Sequence, residues 1–294
     1  MACTTPTSGR RARAPARRRP SRTARAAGES SLEIDSEQAE LRLAEATPFA
    51  VDLAASRFTL QPFCLVRQQG GRLCATQTLQ ASPDQGRAVM AVQQLPMDLL
   101  GMVLPEQWNA AGQSDGQFEF TWSAGASRWQ ANAELRSQLD LKGLDAYGKP
   151  WSLPTTRLAL NLDANPTQAS VEARVSVDEA GTVQLQADID DPTGKATLDG
   201  QLNVDGVALS PYQALVAGVD TLQGTLDGSV ALAGALSNPE LDGQLTLDGL
   251  RAQGGEVPVE IRDGRLAIAL DGRQADIQGF VAAERESDRL GVGV

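Results

Sequence analysis

The sequence contains no histidine, three lysines, few aromatic residues and no long apolar run. Without histidine, a Ser-His-Asp or Cys-His catalytic site and a histidine-ligated metal site are all excluded. With only 4% aromatic residues in 294, a broad core filled by large rings is not expected either. The most apolar run, residues 97–104, is far shorter than the ~18 residues that span a bilayer as a helix.

Positive charge is scarce outside the N-terminus. Eight of the 26 basic residues lie in residues 1–28, which carry no acid, so the rest of the chain has a net charge of −19. A surface of that sign repels phosphate, and we expect no nucleic-acid partner. Residues 1–29 are predicted to be a disordered arginine-rich tail. A transit peptide and a wrongly chosen start site are the alternatives for the same segment.

The remaining polar motifs lack the residue spacing of known phosphate-binding and calcium-binding loops. In residues 190–195, "DDPTGK", Ile189 and Ala196 replace the first glycine and the hydroxyl residue of a phosphate-binding loop. The acids at 188, 190 and 191 lack the spacing of a calcium-binding EF-hand loop. We therefore predict a protein that is not an enzyme and that carries no metal or cofactor.

Period-two alternation dominates what is present. Residues 198–206, "LDGQLNVDG", return almost unchanged as residues 241–249, "LDGQLTLDG". Leucine, valine and glycine occupy one parity of each copy and polar residues the other, which is typical of a strand with one wet face. Similar segments recur about every ten residues and predict roughly sixteen strands. Glycines on the apolar parity favour a tightly curled sheet, and the predicted fold is all-β: a long antiparallel sheet forming an open groove, or β-taco.

Two short helices are expected to interrupt the strands and cap the apolar surface, near residues 96–102 and 211–217. The second has Ser210 at the predicted N-cap and Pro211 at the first helical position. Gln213 would complete a capping box, and Gly218 would end the helix. Turns are predicted at Asp263-Gly264 and at Asp271-Gly272.

Cys64 and Cys74 flank a segment that contains Gln69-Gly70-Gly71. With those three residues as a turn, the two cysteines face each other across a hairpin, and a disulfide there indicates an oxidising compartment. Two reduced cysteines acting as small apolar residues are the alternative.

Residues 222–268, "LQGTLDGSVALAGALSNPELDGQLTLDGLRAQGGEVPVEIRDGRLAI", resemble the TamB family of the AsmA-like superfamily. The resemblance lies in a glycine-punctuated strand, an Asn-Pro turn, a strand containing Asp-Gly, and a hairpin. Residues 95–120 look like an earlier copy of the family's helix-then-strand unit, and the cysteine hairpin is similar to one in TamB-like chains. The resemblance extends over about residues 30–281 and is most specific at 198–279.

The resemblance implies an inner-membrane-anchored periplasmic protein with an apolar groove. Such proteins act with an Omp85-type outer-membrane barrel in assembling outer-membrane proteins and moving phospholipid between membranes. The family's N-terminal anchor and C-terminal partner-binding region have no counterpart here, so an internal or truncated fragment is expected. Expected segments are 30–110 with the cysteine hairpin, 111–209, 210–281, and a truncated tail at 282–294.

Phospholipid acyl chains are the expected ligand of the groove. The residues predicted to line it are the apolar parity of the C-terminal strands: Leu222, Leu226, Val230, Leu232, Leu241, Leu245, Leu247, Val257, Val259, Ile261, Leu266, Ile268 and Leu270. Two other functions fit an all-β chain, namely a closed β-solenoid stalk with a dry core and a carbohydrate-active β-helix enzyme. Variable strand spacing disfavours the first, and the lack of clustered catalytic acids disfavours the second.

Overall fold

The computed structural model describes residues 25–30, 33–34, 41–125, 127–145, 147–216, 218–254 and 260–284. These residues form twenty strands, more than the sixteen predicted, because several strands before residue 82 are only two to six residues long. The strands are β1 (Arg25–Ser30), β2 (Glu33–Ile34), β3 (Leu41–Leu43), β4 (Thr47–Asp52), β5 (Arg57–Leu60), β6 (Phe63–Arg67), β7 (Arg72–Ala75), β8 (Leu79–Ala81), β9 (Gly86–Pro96), β10 (Trp108–Ser123), β11 (Arg128–Leu144), β12 (Pro150–Ser152), β13 (Thr156–Ala164), β14 (Gln168–Val177), β15 (Gly181–Asp190), β16 (Thr197–Ala208), β17 (Thr221–Ala235), β18 (Asn238–Gln253), β19 (Glu260–Asp271) and β20 (Gln274–Glu284).

All the described strands belong to one sheet, which does not close into a barrel. From β13 to β20 each strand pairs antiparallel with the next in sequence. Two branches of short strands share the outer edge of β9, one through β7, β6 and β3 and the other through β8, β5 and β4. The predicted all-β open sheet is therefore confirmed.

The two copies of the repeated nonapeptide each contain a β-bulge. In β16, Asp205 and Gly206 together oppose the single residue Asp227 of β17. In β18, the register against β17 shifts at Gly249 in the same way. Gly206 and Gly249 have φ angles of 60° and 64°, a left-handed conformation that glycine adopts at little cost. These two glycines are therefore bulge residues, and their assignment to the alternating apolar positions was wrong.

Each bulge returns the following apolar residues to the same face of the sheet. The inward positions of β16 are even-numbered up to Val204, and after the bulge the odd-numbered Val207 lies opposite Leu226. In β18 they are odd-numbered up to Leu247, and after the bulge Ala252 lies opposite Leu222. The repeated Asp-Gly thus lets one long strand bend while keeping its apolar side chains together.

A similar bulge occurs earlier in the chain. Gln94 of β9 has a φ of 48°, and its backbone N–H donates to Oδ1 of Asp115 at 2.9 Å. The backbone N–H of Gly206 donates to Oδ1 of Asp227 at 2.7 Å, across the same sequence separation of 21 residues. The bulges at Gln94 and Gly206 are each followed by a short helix and then a long strand, which is the unit that the sequence suggested was duplicated.

Two 3₁₀ helices cover Met97–Met102 and Ser210–Leu215, close to the predicted positions. The predicted capping box is wrong, because Leu209 occupies the N-cap position and no side chain caps that helix. The side-chain amide of Gln213 instead forms hydrogen bonds with backbone groups that follow the helix. Its Nε2 donates to the carbonyl of Asp220 at 2.6 Å, and its Oε1 accepts from the N–H of Leu222 at 3.3 Å.

Two expectations about turns and one about the N-terminal tail can be compared with the structure. Asp263-Gly264 is not a turn, since β19 continues through it with a bulge after Ile261. Asp271-Gly272 does join β19 to β20, with Gly272 at a φ of 59°. Residues 25–29, predicted to belong to the disordered tail, lie in β1 and pair with β4, because the pairing hydrogen bonds are made by backbone groups and need no apolar side chains. Residues 1–24 lie outside the described part of the chain.

The division into segments stays a prediction. The boundary between 110 and 111 falls inside β10, whereas the one between 209 and 210 coincides with the start of the second helix. Over the described ranges, no helix is long and apolar enough to span a membrane.

A buried arginine holds the first helix on the sheet. Arg67 of β6 is 8% exposed, and its Nη1 donates to both carboxylate oxygens of Asp98 at 2.8 and 3.0 Å. Next to this pair, Oγ of Ser114 contacts Sδ of Met97 at 3.0 Å. The helix therefore lies over the face of the sheet that carries Ser114.

We expect Asp98→Ala to destabilise the protein by about 2–4 kcal/mol, because it leaves the Arg67 guanidinium buried without its carboxylate. Chemical denaturation of the two proteins measures the difference. Glu119→Gln is the control, since it removes an acid from a solvent-exposed pair with Arg87 and should hardly change stability. Equal stabilities for wild type and Asp98→Ala would contradict this account of the helix.

Cys64 and Cys74 lie directly opposite each other in β6 and β7, and their Sγ atoms are bonded. Gly70 and Gly71, with φ angles of 102° and 84°, form the turn between the two strands, as the sequence predicted. The hairpin packs against β9, which carries both branches of the sheet.

Replacing both cysteines by serine should lower the free energy of unfolding by about 2–3 kcal/mol, because the closed loop of about ten residues gains entropy when unfolded. Urea denaturation of wild type with and without reductant should give the same difference. If reductant has no effect and both thiols of the denatured protein react with an alkylating agent, the bond is not present in solution.

Candidate apolar groove

The paired strands place apolar residues in continuous rows across the sheet. The central row crosses fourteen strands, and each of its members lies directly opposite the next. In order from β3 to β20 it reads Leu43, Leu65, Leu73, Val92, Gly116, Leu135, Leu160, Ala173, Leu185, Leu202, Val230, Gly243, Leu270 and Ala275. Directly opposed side chains lie on the same face, so an unbroken apolar row runs along this face from β3 to β20.

The structure brings together the predicted residues that it describes. Leu226, Leu247 and Leu266 form one row across β17, β18 and β19, and Leu245 lies opposite Ile268 in the next row. The other predicted residues form further rows on the same face. Leu232 lies opposite Leu241, Val230 and Leu270 lie on either side of Gly243, and Leu222 and Ile261 lie on either side of Ala252. Val257 and Val259 lie outside the described residues.

The apolar face is only partly covered. Of the predicted residues within the described ranges, Val230 is buried at 3% exposure, and the other ten retain intermediate exposure. Among the described residues, no large side chain falls below 2% exposure. A dry, two-sided core of this size would contain many such side chains, so the face that carries these rows is open on one side.

The opposite face is polar. Rows between the apolar ones carry Glu134, Asn161, Glu172, Gln186 and Gln201, all of which are exposed. Asp188 and Asp199 face each other directly, an arrangement that only a hydrated surface tolerates at low cost. The sheet therefore separates water on its outer face from an apolar concave surface.

Exposed ion pairs join neighbouring strands on this outer face. Arg87 donates to Glu119 at 2.7 Å, and this hydrogen bond lowers the pKa of the Glu119 carboxyl. Arg157 pairs with Asp178, whose hydrogen bond raises the pKa of the guanidinium. These side chains are partly exposed to solvent, and such pairs contribute little to stability.

All four tryptophans lie on the groove face, at the two ends of β10 and β11. At one end, Trp108 and Trp151 flank Gly143 and pack edge to face with ring centroids 4.7 Å apart. At the other end, Trp122 lies opposite Trp129, and its indole N–H donates to the carbonyl of Ser82 at 3.0 Å. Tryptophans thus mark both edges of the apolar band where β10 and β11 cross it.

Sequence reasoning missed two parts of this surface. Val207 and Leu250 have the wrong parity for a regular strand, and the Asp-Gly that precedes each of them was the available signal for a bulge. The pairing of Trp108 with Trp151 had no signal in the sequence, because a glycine of a third segment separates them in the sheet.

Two comparisons with known proteins found similar sequences. Residues 25–247 match the family model described as "TamB, N-terminal domain". The chain belongs to the TamB family. A relative named "Translocation and assembly module subunit TamB", from Haemophilus influenzae, is 22% identical over 218 residues. The match covers 71% of this chain and 16% of that relative, so the chain spans a small part of the relative's length. No solved structure matches.

Proposed function

We propose that this chain forms a segment of a TamB-like periplasmic bridge whose groove carries phospholipid acyl chains during outer-membrane biogenesis. The observation that carries the proposal is the unbroken apolar row across fourteen strands on a face that remains open. Strands are ~4.8 Å apart, so such a row is about 65 Å long. That length accommodates several acyl chains but only part of a path between two membranes.

Hydrophobic burial is large enough to hold lipid in such a groove. Each methylene removed from water contributes ~0.8 kcal/mol, so an acyl chain that buries ten of them gains about 8 kcal/mol before ordering costs. The head group would remain at the rim, in contact with water. No enzymatic role is proposed.

The periplasmic location and the protein partner belong to the same proposal. The bonded cysteine pair supports an oxidising compartment, and the relative's name supports a role in translocation and assembly. An Omp85-type barrel is the proposed partner, and anchoring at the inner membrane is part of the same proposal.

Native mass spectrometry of the full chain, purified from lipid-containing lysate in mild detergent, tests the proposal. We expect adducts with the masses of phospholipids, which organic extraction should release. The Leu247→Asp variant should carry far fewer of them, because a carboxylate would then lie in the path of the acyl chains. A wild-type protein free of lipid, with no uptake of added phospholipid, would argue against a lipid groove.

A further inference from the structure

A cavity lies at the groove edge that carries Trp108 and Trp151. It has a volume of about 490 Å³, and one wall is formed by the loop between β11 and β12 and the other by the second 3₁₀ helix and its following loop. We call it the rim cavity, and its lining includes Trp108, Trp151, Tyr147, Lys149, Leu215 and Asp220. Volumes of this order are usual for sites that bind small molecules or parts of lipids.

Both walls of the rim cavity are fixed by side-chain hydrogen bonds to the backbone. In the first wall, Oδ1 of Asp145 accepts from the N–H groups of Tyr147 and Lys149 at 2.9 and 2.8 Å. In the second, Gln213 bridges Asp220 and Leu222 through its amide. The cavity is therefore preorganised, which reduces the entropy that a ligand must overcome.

Several apolar side chains that line the cavity are exposed to water. Leu144, Tyr147, Leu215 and Val216 all line it and are 37–66% exposed. The indoles of Trp108 and Trp151 lie beside them on the groove face. Tryptophan and tyrosine are favoured where an apolar region meets water, because their rings have an apolar body and a polar atom. The rim cavity lies at such a boundary.

Two opposite charges also line the cavity. Within the described residues, neither the Lys149 ammonium nor the Asp220 carboxylate has an ion-pair or hydrogen-bond partner, and the two do not pair with each other. A ligand that carries both a negative and a positive group could contact both. Trp108, Trp151 and Tyr147 line the same cavity, and aromatic rings attract cations.

We infer that the rim cavity seats the head group of a zwitterionic phospholipid, with its phosphate towards Lys149 and its ammonium towards Asp220 and the aromatic rings. The acyl chains extend from there onto the apolar rows. This inference rests on the proposed function and specifies where in the groove a lipid is held and which head group is preferred.

The test compares dihexanoyl phosphatidylethanolamine with dihexanoyl phosphatidylglycerol, titrated against the full chain below their micelle concentrations and followed by native mass spectrometry. Wild type should bind the ethanolamine lipid roughly tenfold more tightly, because only that head group offers an ammonium to Asp220. Asp220→Asn should remove this preference, and Lys149→Gln should weaken both lipids. Glu240→Gln, an exposed acid at the opposite edge of the sheet, is the control and should change neither.

The outcomes separate this inference from the proposed function. Equal binding of the two lipids by wild type, or an unchanged preference in Asp220→Asn, would overturn the head-group seat and leave the groove intact. Binding of neither lipid would overturn the proposed function and the seat with it. Because both substituted side chains are exposed, the variants should unfold at the wild-type temperature, which circular dichroism checks.

Discussion

Leu245→Asp should reduce phospholipid binding more than a hundredfold while the sheet remains folded. Leu245 lies in β18 opposite Ile268, in the middle of the apolar rows, and it retains intermediate exposure. A carboxylate there can stay hydrated in the lipid-free protein, so the loss of stability should be limited to about 1–2 kcal/mol of lost burial. An acyl chain that covers the carboxylate would have to desolvate it, which costs several kcal/mol.

Two further variants serve as controls, one on the exposed outer face and one at a buried position. Gln244→Asp places the same carboxylate one residue away on the exposed outer face, and it should alter neither binding nor stability. Val230→Asp buries the carboxylate at a position that is 3% exposed, and it should unfold the protein. Unfolding by Leu245→Asp to the same extent as Val230→Asp would indicate a dry closed core and favour the stalk over the lipid groove.

Gly243→Ala should destabilise the protein by more than about 3 kcal/mol, a large effect for one methyl group. A Cβ atom at Gly243 would lie 2.2 Å from the carbonyl oxygen of Ser229, and one at Gly228 would lie 2.2 Å from that of Gln244. Both glycines have φ angles near 150°, which L-residues rarely adopt. The strands therefore approach closely where β17 and β18 cross the apolar rows, and relieving the clash would move them apart.

Gly101→Ala is the matched control, because a Cβ atom there meets nothing within 4 Å. We expect it to change stability by a few tenths of a kcal/mol at most. Thermal and urea denaturation of both variants would measure the contrast. If Gly243→Ala is as stable as Gly101→Ala, the close approach of β17 and β18 is not present in solution.

Alternation predicted much of this protein, because a sheet with one wet face leaves a period of two in the sequence. The alignment of Leu226, Leu247 and Leu266 and the opposition of Cys64 to Cys74 follow from that period and a glycine turn. Bulges shift the period by one residue, so Gly206 and Gly249 were assigned incorrectly and the inward-facing Val207 and Leu250 that follow them were missed.

Other errors have tertiary causes. The predicted role of the Gln213 amide was to cap its own helix, but it forms hydrogen bonds with the backbone at Asp220 and Leu222. The local sequence is compatible with either set of hydrogen bonds. Asp263-Gly264 has the composition of a turn, but pairing with Ala282 and Val281 of β20 keeps it inside a strand. The rim cavity joins segments more than sixty residues apart, and only the folded sheet brings them together.

Photo-crosslinking from the two opposite faces of β18 tests directly whether acyl chains bind in the groove. A photoreactive amino acid placed at Leu247 faces the rows formed with Leu226 and Leu266, whereas one at Gln244 faces outward. After incubation with phospholipid vesicles and illumination, we expect phospholipid adducts at position 247 and almost none at 244. Adducts of equal yield at the two positions, or none at 247 in a folded protein, would contradict an open acyl-chain groove.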